Sequence, residues 1–116
     1  MRVVIITASK HHSTHEVGAQ LASAIAHLDA ALDVSVSRCA ATAEVIGADT
    51  VVLGSALYGT RWLRPARAFL GAHAADLART RLWTFTCGLA KRSGTEGPSP
   101  ATPVLGREVP HVHLGG

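Results

Sequence analysis

The chain has 116 residues, 47% hydrophobic and 16% charged, which suits one domain with one core and excludes two domains or global disorder. A formal net charge of +3, spread over scattered Lys and Arg, is too weak a basic footprint for nucleic-acid binding. Cys39 and Cys87 lie far apart with no CxxC, and no apolar run is long enough for a signal peptide or a membrane span, so the chain reads as soluble and cytoplasmic with free thiols.

Arg2 to Thr7 (RVVIIT) is a continuous β-branched run, the pattern of a strand buried on both faces of a parallel sheet. A polar loop, Ala8 to Ser13, leads into a helix. Ser13 followed by Glu16 reads as a capping box, Val17, Leu21, Ala24, Ile25 and Leu28 mark one apolar face, and His27 and Asp29 close the helix. Leu32 to Ser37 alternates apolar and polar residues, as a strand near a sheet edge does. The Ala-rich stretch Arg38 to Ala48 reads as a short irregular helix.

Asp49 to Ser55 (DTVVLGS) is a second buried-strand run, and Ala56 to Arg61 reads as a loop carrying Tyr58 and Gly59. A helix is expected from about Arg64, with Pro65 in its first turn and Leu63, Ala66, Leu70, Ala74 and Leu77 on its buried face. Arg61, Arg64 and Arg67 recur at a spacing of three and form a solvated basic stripe if helical. Arg81 to Thr86 is a fourth strand. Gly88 to Gly106, rich in Gly, Pro, Ser and Thr, reads as a mobile loop, and Val109 to Leu114 as a last strand that Pro110 confines to an edge or a strand start. Strands alternating with helices imply a parallel sheet with right-handed crossovers in a single domain spanning residues 1–116.

In such a sheet, ligands bind outside the carboxyl ends of the strands, at the switch in strand order. Three loops leave those ends: Ala8–Ser13, Ala56–Arg61 and the one opening at Cys87-Gly88. The first is rich in hydroxyl donors and stands before a helix N-terminus, whose free N–H groups favour an anion. The alternative is that Ser13 only caps the helix. The loop carries neither GxxxxGK[ST] nor GxGxxG. Tyr58 either stacks on a planar cofactor or packs under the next helix, and Trp62 covers core in that second case. His11 with His15, and His111 with His113, have spacings a metal could use, but no acidic or Cys ligand lies nearby in sequence, so they read as exposed histidines. Cys87 reads as an inert thiol within a ligand loop. No Ser-His-Asp order, nucleophile elbow or carboxylate pair is present.

SKHHST after the first strand, VVLGSALYGTRW around the third and FTCG after the fourth together resemble the flavodoxin-domain family, in particular its branch related to menaquinone-dependent protoporphyrinogen oxidase. The likeness runs from Met1 to about Gly88, with a weaker echo over Arg107 to Gly116. It implies an α/β, doubly wound parallel sheet of strand order 2-1-3-4-5 with FMN at the switch between the first and third strands. By the resemblance, Ser9, Lys10, His11, His12, Ser13 and Thr14 surround the FMN phosphate. Ser55, Ala56, Leu57, Tyr58 and Gly59 flank one side of the isoalloxazine, and Thr86, Cys87 and Gly88 approach the other side. The chain departs from the family pattern at His12, where relatives commonly carry Gly, and at Gly116, where it stops and relatives continue into a C-terminal helix. A truncated member would leave a sheet face uncovered and open to a second copy.

The resemblance implies an FMN-dependent oxidoreductase or electron-transfer domain, linked to a quinone or porphyrinogen system, in which the flavin carries the chemistry. The mildly basic charge favours an enzyme-like relative over the strongly acidic shuttle flavodoxins. The competing reading is a flavodoxin-like domain that has lost its cofactor and serves as an interaction or regulatory module.

Overall fold

The computed structural model describes residues 1–9, 13–39, 47–58, 61–88 and 99–115, with side chains left undescribed at Ser13, Tyr58 and Gly115. The elements are β1 (Arg2–Ala8), α1 (Ser13–Leu28), β2 (Asp33–Arg38), β3 (Thr50–Tyr58), β4 (Arg61–Trp62), α2 (Arg64–Ala72), α3 (Ala74–Leu77), β5 (Arg81–Gly88), α4 (Thr102–Leu105) and β6 (His111–Gly115). The helix expected over Arg38 to Ala48 falls mostly outside the described residues.

The main sheet is parallel and runs β2-β1-β3-β5-β6, which is the order 2-1-3-4-5 once the two-residue β4, paired antiparallel to β3, is set aside. Strand β1 sits between β2 and β3 and is buried from Val3 to Ala8, which explains its unbroken β-branched run: both faces are covered, so no position needs to be polar for solvent. Alternation along the strands divides the core in two. Val4, Ile6, Val51, Leu53 and Leu82 face α2, α3 and α4, together with Trp62, Ala66, Phe69, Leu70 and Leu77. Ile5, Val52 and Phe85 face α1, against Val17, Leu21, Ala22 and Ile25.

Glycine sets how closely the layers approach. A Cβ on Gly18 of α1 would stand 2.8 Å from the Thr7 methyl and 3.3 Å from that of Ile5, so the helix lies almost on the strand. This contact rotates the helix. Its buried face is centred on Gly18, Leu21, Ala22 and Ile25, while Ala24 and Leu28, expected inside, are exposed. At Gly54 of β3 a Cβ would fall about 2.0 Å from the Phe85 ring, which occupies the space above the glycine.

Four expected segments differ. Strand β3 continues through Ala56 and Leu57 to Tyr58 and folds back as β4, so Ala56 to Arg61 is largely a hairpin. The expected long helix breaks at His73 into α2 and α3, with Phe69 buried and Ala74 only half-buried. Of Gly88 to Gly106, expected as a loop, residues 89–98 lie outside the described residues; in the rest Ser99 and Ala101 are buried, and α4 ends on Gly106 in the left-handed region at φ 69°. Arg61 lies on β4 while Arg64 and Arg67 lie on α2, so the three do not form one helical stripe. Among the described residues no helix is long and apolar enough to cross a membrane.

The Phe85–Gly54 contact predicts that Gly54→Ala lowers unfolding free energy by about 1–3 kcal/mol, since the ring must leave its place. In urea denaturation, Gly54→Ala/Phe85→Leu is expected to lose less than the two single variants lose in sum.

Candidate functional site

The register of β1, β3 and β5 sets the carboxyl ends side by side. Ala8 pairs with Ser55, Ser55 with Thr86 and Ala56 with Cys87, so the ends of all three expected ligand loops meet at one edge. The edge lies where the chain order reverses, because β1 is flanked by β2 on one side and β3 on the other.

Helix α1 begins at this edge. Its start is capped from outside: the Thr14 N–H donates to Ser9 Oγ at 3.2 Å. Ser13 is the first helical residue, and its side chain, on which the expected capping box with Glu16 rests, lies outside the described residues. The Thr14 side chain is fully buried, yet its hydroxyl has no hydrogen bond of good geometry among the described residues. It is near enough to Cys87 to lower that thiol's pKa. Burial is the larger effect, and the net shift is upward, keeping the half-buried thiol protonated at neutral pH. Cys39, more deeply buried, is raised to about 11 by the same cause. His15 shares a hydrogen bond of 2.9 Å with the Thr7 hydroxyl, which orients its ring over β1.

On the β3 side, Ser55 is buried and its hydroxyl is used inside the protein. It donates to Ala56 O at 2.7 Å and accepts the Leu63 N–H at 3.0 Å, closing the β3–β4 hairpin onto the start of α2. Ala56 and Leu57 follow, half-buried. On the β5 side, Thr86 is engaged as well, and Gly88 lies against Leu57: a Cβ there would come 3.0–3.2 Å from that side chain. Ser55 and Thr86 therefore have hydroxyls bound within the fold, and the open polar side chain at this edge is Thr14. Lys10, His11, His12 and Gly59 lie outside the described residues, as do the side chains of Ser13 and Tyr58. Among the described residues no group of three or more His, Cys, Asp or Glu is gathered as a metal site.

Thr86 belongs to a network that the sequence did not reveal. The indole N–H of Trp62 donates to Thr86 Oγ1 at 2.7 Å. Thr86 Oγ1 lies 3.1 Å from His111 Nε2, and His111 Nδ1 lies 2.7 Å from Thr84 Oγ1. Thr84 Oγ1 is in turn 2.6 Å from Ser99 Oγ and 3.2 Å from Pro110 O. One proton assignment satisfies every member. Thr86 donates to Nε2, Nδ1–H donates to Thr84, Ser99 donates to Thr84, and Thr84 donates to Pro110 O. His111 is then neutral, in agreement with its lowered pKa, caused first by burial and second by the charge of His113. The spacing of His111 and His113 had suggested exposed histidines; both are half-buried instead, and the ring of His111 joins β5 to β6.

A parallel doubly wound sheet whose strand ends converge on a helix N-terminus at the switch in chain order defines the flavodoxin-like class of α/β domain. The chain belongs to the flavodoxin-domain family: the family's model matches residues 4–104. It is similar in fold to rubredoxin oxygen:oxidoreductase from Desulfovibrio gigas, at 20% identity and a TM-score of 0.72, over 98% of this chain but only 30% of that one. It is also similar to a flavodoxin from the domain Archaea, at 16% identity and a TM-score of 0.69, covering 99% of this chain and 85% of that one. The oxidised flavodoxin 2 of Bacillus cereus gives 17% identity and a TM-score of 0.69, with 99% and 86% covered. No curated protein matches the chain significantly in sequence.

The His111 network sets a sign for acid sensitivity. The unfolded chain takes up a proton near pH 6.5 while the native chain keeps His111 neutral, so stability falls as pH drops below about 6.5 and stops falling below the lowered native value. Thermal melts from pH 7.5 to pH 5 are expected to show this loss, and His111→Gln should have a shallower slope across that range.

Proposed function

We propose that the carboxyl edge of β1, β3 and β5 binds FMN, and that the protein acts as an FMN-dependent oxidoreductase or electron-transfer domain. The observation that carries the reading is Thr14: a fully buried hydroxyl, one residue inside a helix N-terminus, whose sole neighbour of note among the described residues is the weakly bonding Cys87 thiol and which makes no hydrogen bond of good geometry there. An unsatisfied buried hydroxyl costs about 1–3 kcal/mol, and a phosphate oxygen would satisfy it where the helix dipole already favours an anion. The described residues fit the group. Ser9 and Thr14 would meet the phosphate, and the resemblance adds Lys10, His11, His12 and Ser13 of the same loop, whose side chains lie outside the described residues.

With the Ser55 and Thr86 hydroxyls engaged elsewhere, the β3 and β5 ends offer the ring their backbone and the side chains of Ala56 and Leu57 on one side and of Cys87, with Gly88, on the other; the resemblance adds Tyr58 and Gly59 to the first side. The closeness of Gly88 to Leu57 supports this arrangement, since a side chain at residue 88 would crowd the space between the two strand ends. When bound, the flavin supplies hydride or electron transfer, and the protein supplies position and surroundings. No acid or base is required of the side chains, and the protonated Cys87 thiol is suited to a packing role. A net charge of +3 provides no acidic field for steering toward basic redox proteins, which favours a small-molecule electron partner, of which a quinone is the class the resemblance suggests.

Titrating FMN into the purified chain should quench flavin fluorescence with one site per chain. Thr14→Val separates a ligand role from a packing role. Without flavin it should be as stable as the parent or more stable by about 1 kcal/mol, because an unpaired hydroxyl is exchanged for a methyl. Its FMN affinity should fall about tenfold, by the ~1.4 kcal/mol of one charge-assisted hydrogen bond. Absence of quenching at any flavin concentration would overturn the reading.

A further inference from the structure

The opposite side of the β5–β6 pair carries a second feature. Side chains alternate along β5, so Cys87 points toward α1 and Thr14, while Thr84 and Thr86 point toward α2. On β6, paired in parallel with β5, His111 and His113 share the face of Thr84 and Thr86. A cleft of about 450 Å³ opens there between β6, the β3–β4 hairpin, α2 and α4. Its walls are apolar at Leu57, Trp62, Leu70 and Val104. Its polar lining includes the guanidinium-bearing Arg61 and Arg67 and the rings of His111 and His113.

Three observations give the cleft a chemical preference. Arg67 Nε donates to the Trp62 backbone carbonyl at 3.1 Å, which ties the guanidinium to the β4 end of the cleft. Among the described residues no carboxylate pairs with Arg61 or Arg67, the ion pair present being His73 with Asp76. His113 Nε2 is buried and has no hydrogen-bond partner among the described residues, although the ring lines the cleft. By contrast, the adjacent His111 and Thr86 are fully engaged in their own network. With the proton on Nε2, the buried His113 ring needs an acceptor, and among the described residues Arg61 and Arg67 have no counter-ion, so the group that suits all three is an acceptor with negative charge. The apolar walls and the Trp62 indole call for a flat hydrocarbon body attached to it.

We propose that this cleft is a binding site for a small organic carboxylate with a planar apolar body, its carboxylate held by Arg61, Arg67 and His113 Nε2 and its body against Trp62, Leu57 and Leu70. The site shares Leu57 with the FMN edge, whose phosphate end lies toward Thr14 and the other face of β5, but its Arg61, Arg67 and His113 are not among the residues proposed for the flavin, so it requires no flavin to exist.

2-Naphthoate is a suitable probe, with the neutral alcohol 2-naphthalenemethanol as its control. Isothermal titration calorimetry of the full chain should show saturable naphthoate binding at one site. The alcohol should bind at least tenfold more weakly. Arg61→Gln and Arg67→Gln should each weaken naphthoate about tenfold, and His113→Leu should weaken it while leaving the melting temperature of the free protein essentially unchanged. If Arg67→Gln fails to fold, Arg67→Lys, which keeps the charge but not the planar fork, should give an intermediate loss. In a Trp83→Phe background the emission of Trp62 alone should change on saturation. No naphthoate binding at millimolar concentration, equal affinity for the alcohol, or unchanged affinity in the Arg61→Gln and His113→Leu variants would overturn the proposal. So would abolition of naphthoate binding by saturating FMN, which would assign the cleft to the flavin. Failure of FMN to bind at all would leave the naphthoate result standing, so the two readings fail separately.

Discussion

Everything in this domain depends on burying β1 on both faces. A strand of Val and Ile from Val3 to Ile6 can be placed only where helices cover both sides and strands pair with both edges. That single requirement puts β1 at the centre of the sheet, sends α1 to one face and α2 to the other, and makes the end of β1 the place where chain order reverses. The close seat of α1, allowed by the bare Cα of Gly18 over Thr7 and Ile5, then fixes the height of the helix N-terminus above that end. Thr14 is buried because the helix starts so near the sheet.

The two faces have diverged in how they treat polar groups. Toward α1, the edge keeps a buried hydroxyl unpaired at Thr14 beside a protonated thiol at Cys87. Toward α2, the Ser55 hydroxyl is engaged by Ala56 O and the Leu63 N–H, and those of Thr84, Thr86 and Ser99 by one another, by Trp62 and by His111. Saturation on that side stiffens the β3–β4 hairpin and ties the edge strand β6 to β5, since a network of satisfied buried bonds is costly to break in part. An edge strand of five residues would otherwise have pairing along one side only. Trp83, half exposed at 50%, lies on the other face of β5, where the apolar packing over Phe85, Val112 and Leu114 is thinner.

Much of this was legible from local pattern. The unbroken runs in β1 and β3, the alternation in β2, the Pro65 start of α2 and the parallel order all follow from the burial each position must have, and burial imposes a period on the residues. Patterns of that kind place a helix but set its rotation only coarsely, so Ala24 and Leu28 were assigned to a face that Gly18 turned away from the sheet. Composition misled over Ser99 to Gly106. Hydroxyl, Pro and Gly residues favour loops, yet Ser99 is ordered because Thr84, fifteen residues earlier on β5, receives its hydroxyl.

The sequence by itself determined the fold class and the three segments that meet at the ligand edge, because these follow from hydrophobic period and turn chemistry within short windows; the spatial order of the strands came only with the resemblance of its loop motifs to the flavodoxin-domain family. Only the tertiary structure decided which polar groups at that edge are free and which are committed. Trp62 reaches Thr86 across 24 residues, and His111 reaches it across 25. Whether a hydroxyl is satisfied depends on partners at such separations, and no local pattern records them. For that reason the hydroxyls of Ser55 and Thr86, which read as ligand groups in the sequence, are bound within the fold, while Thr14 and His113 carry the buried polar atoms that make no hydrogen bond of good geometry among the described residues.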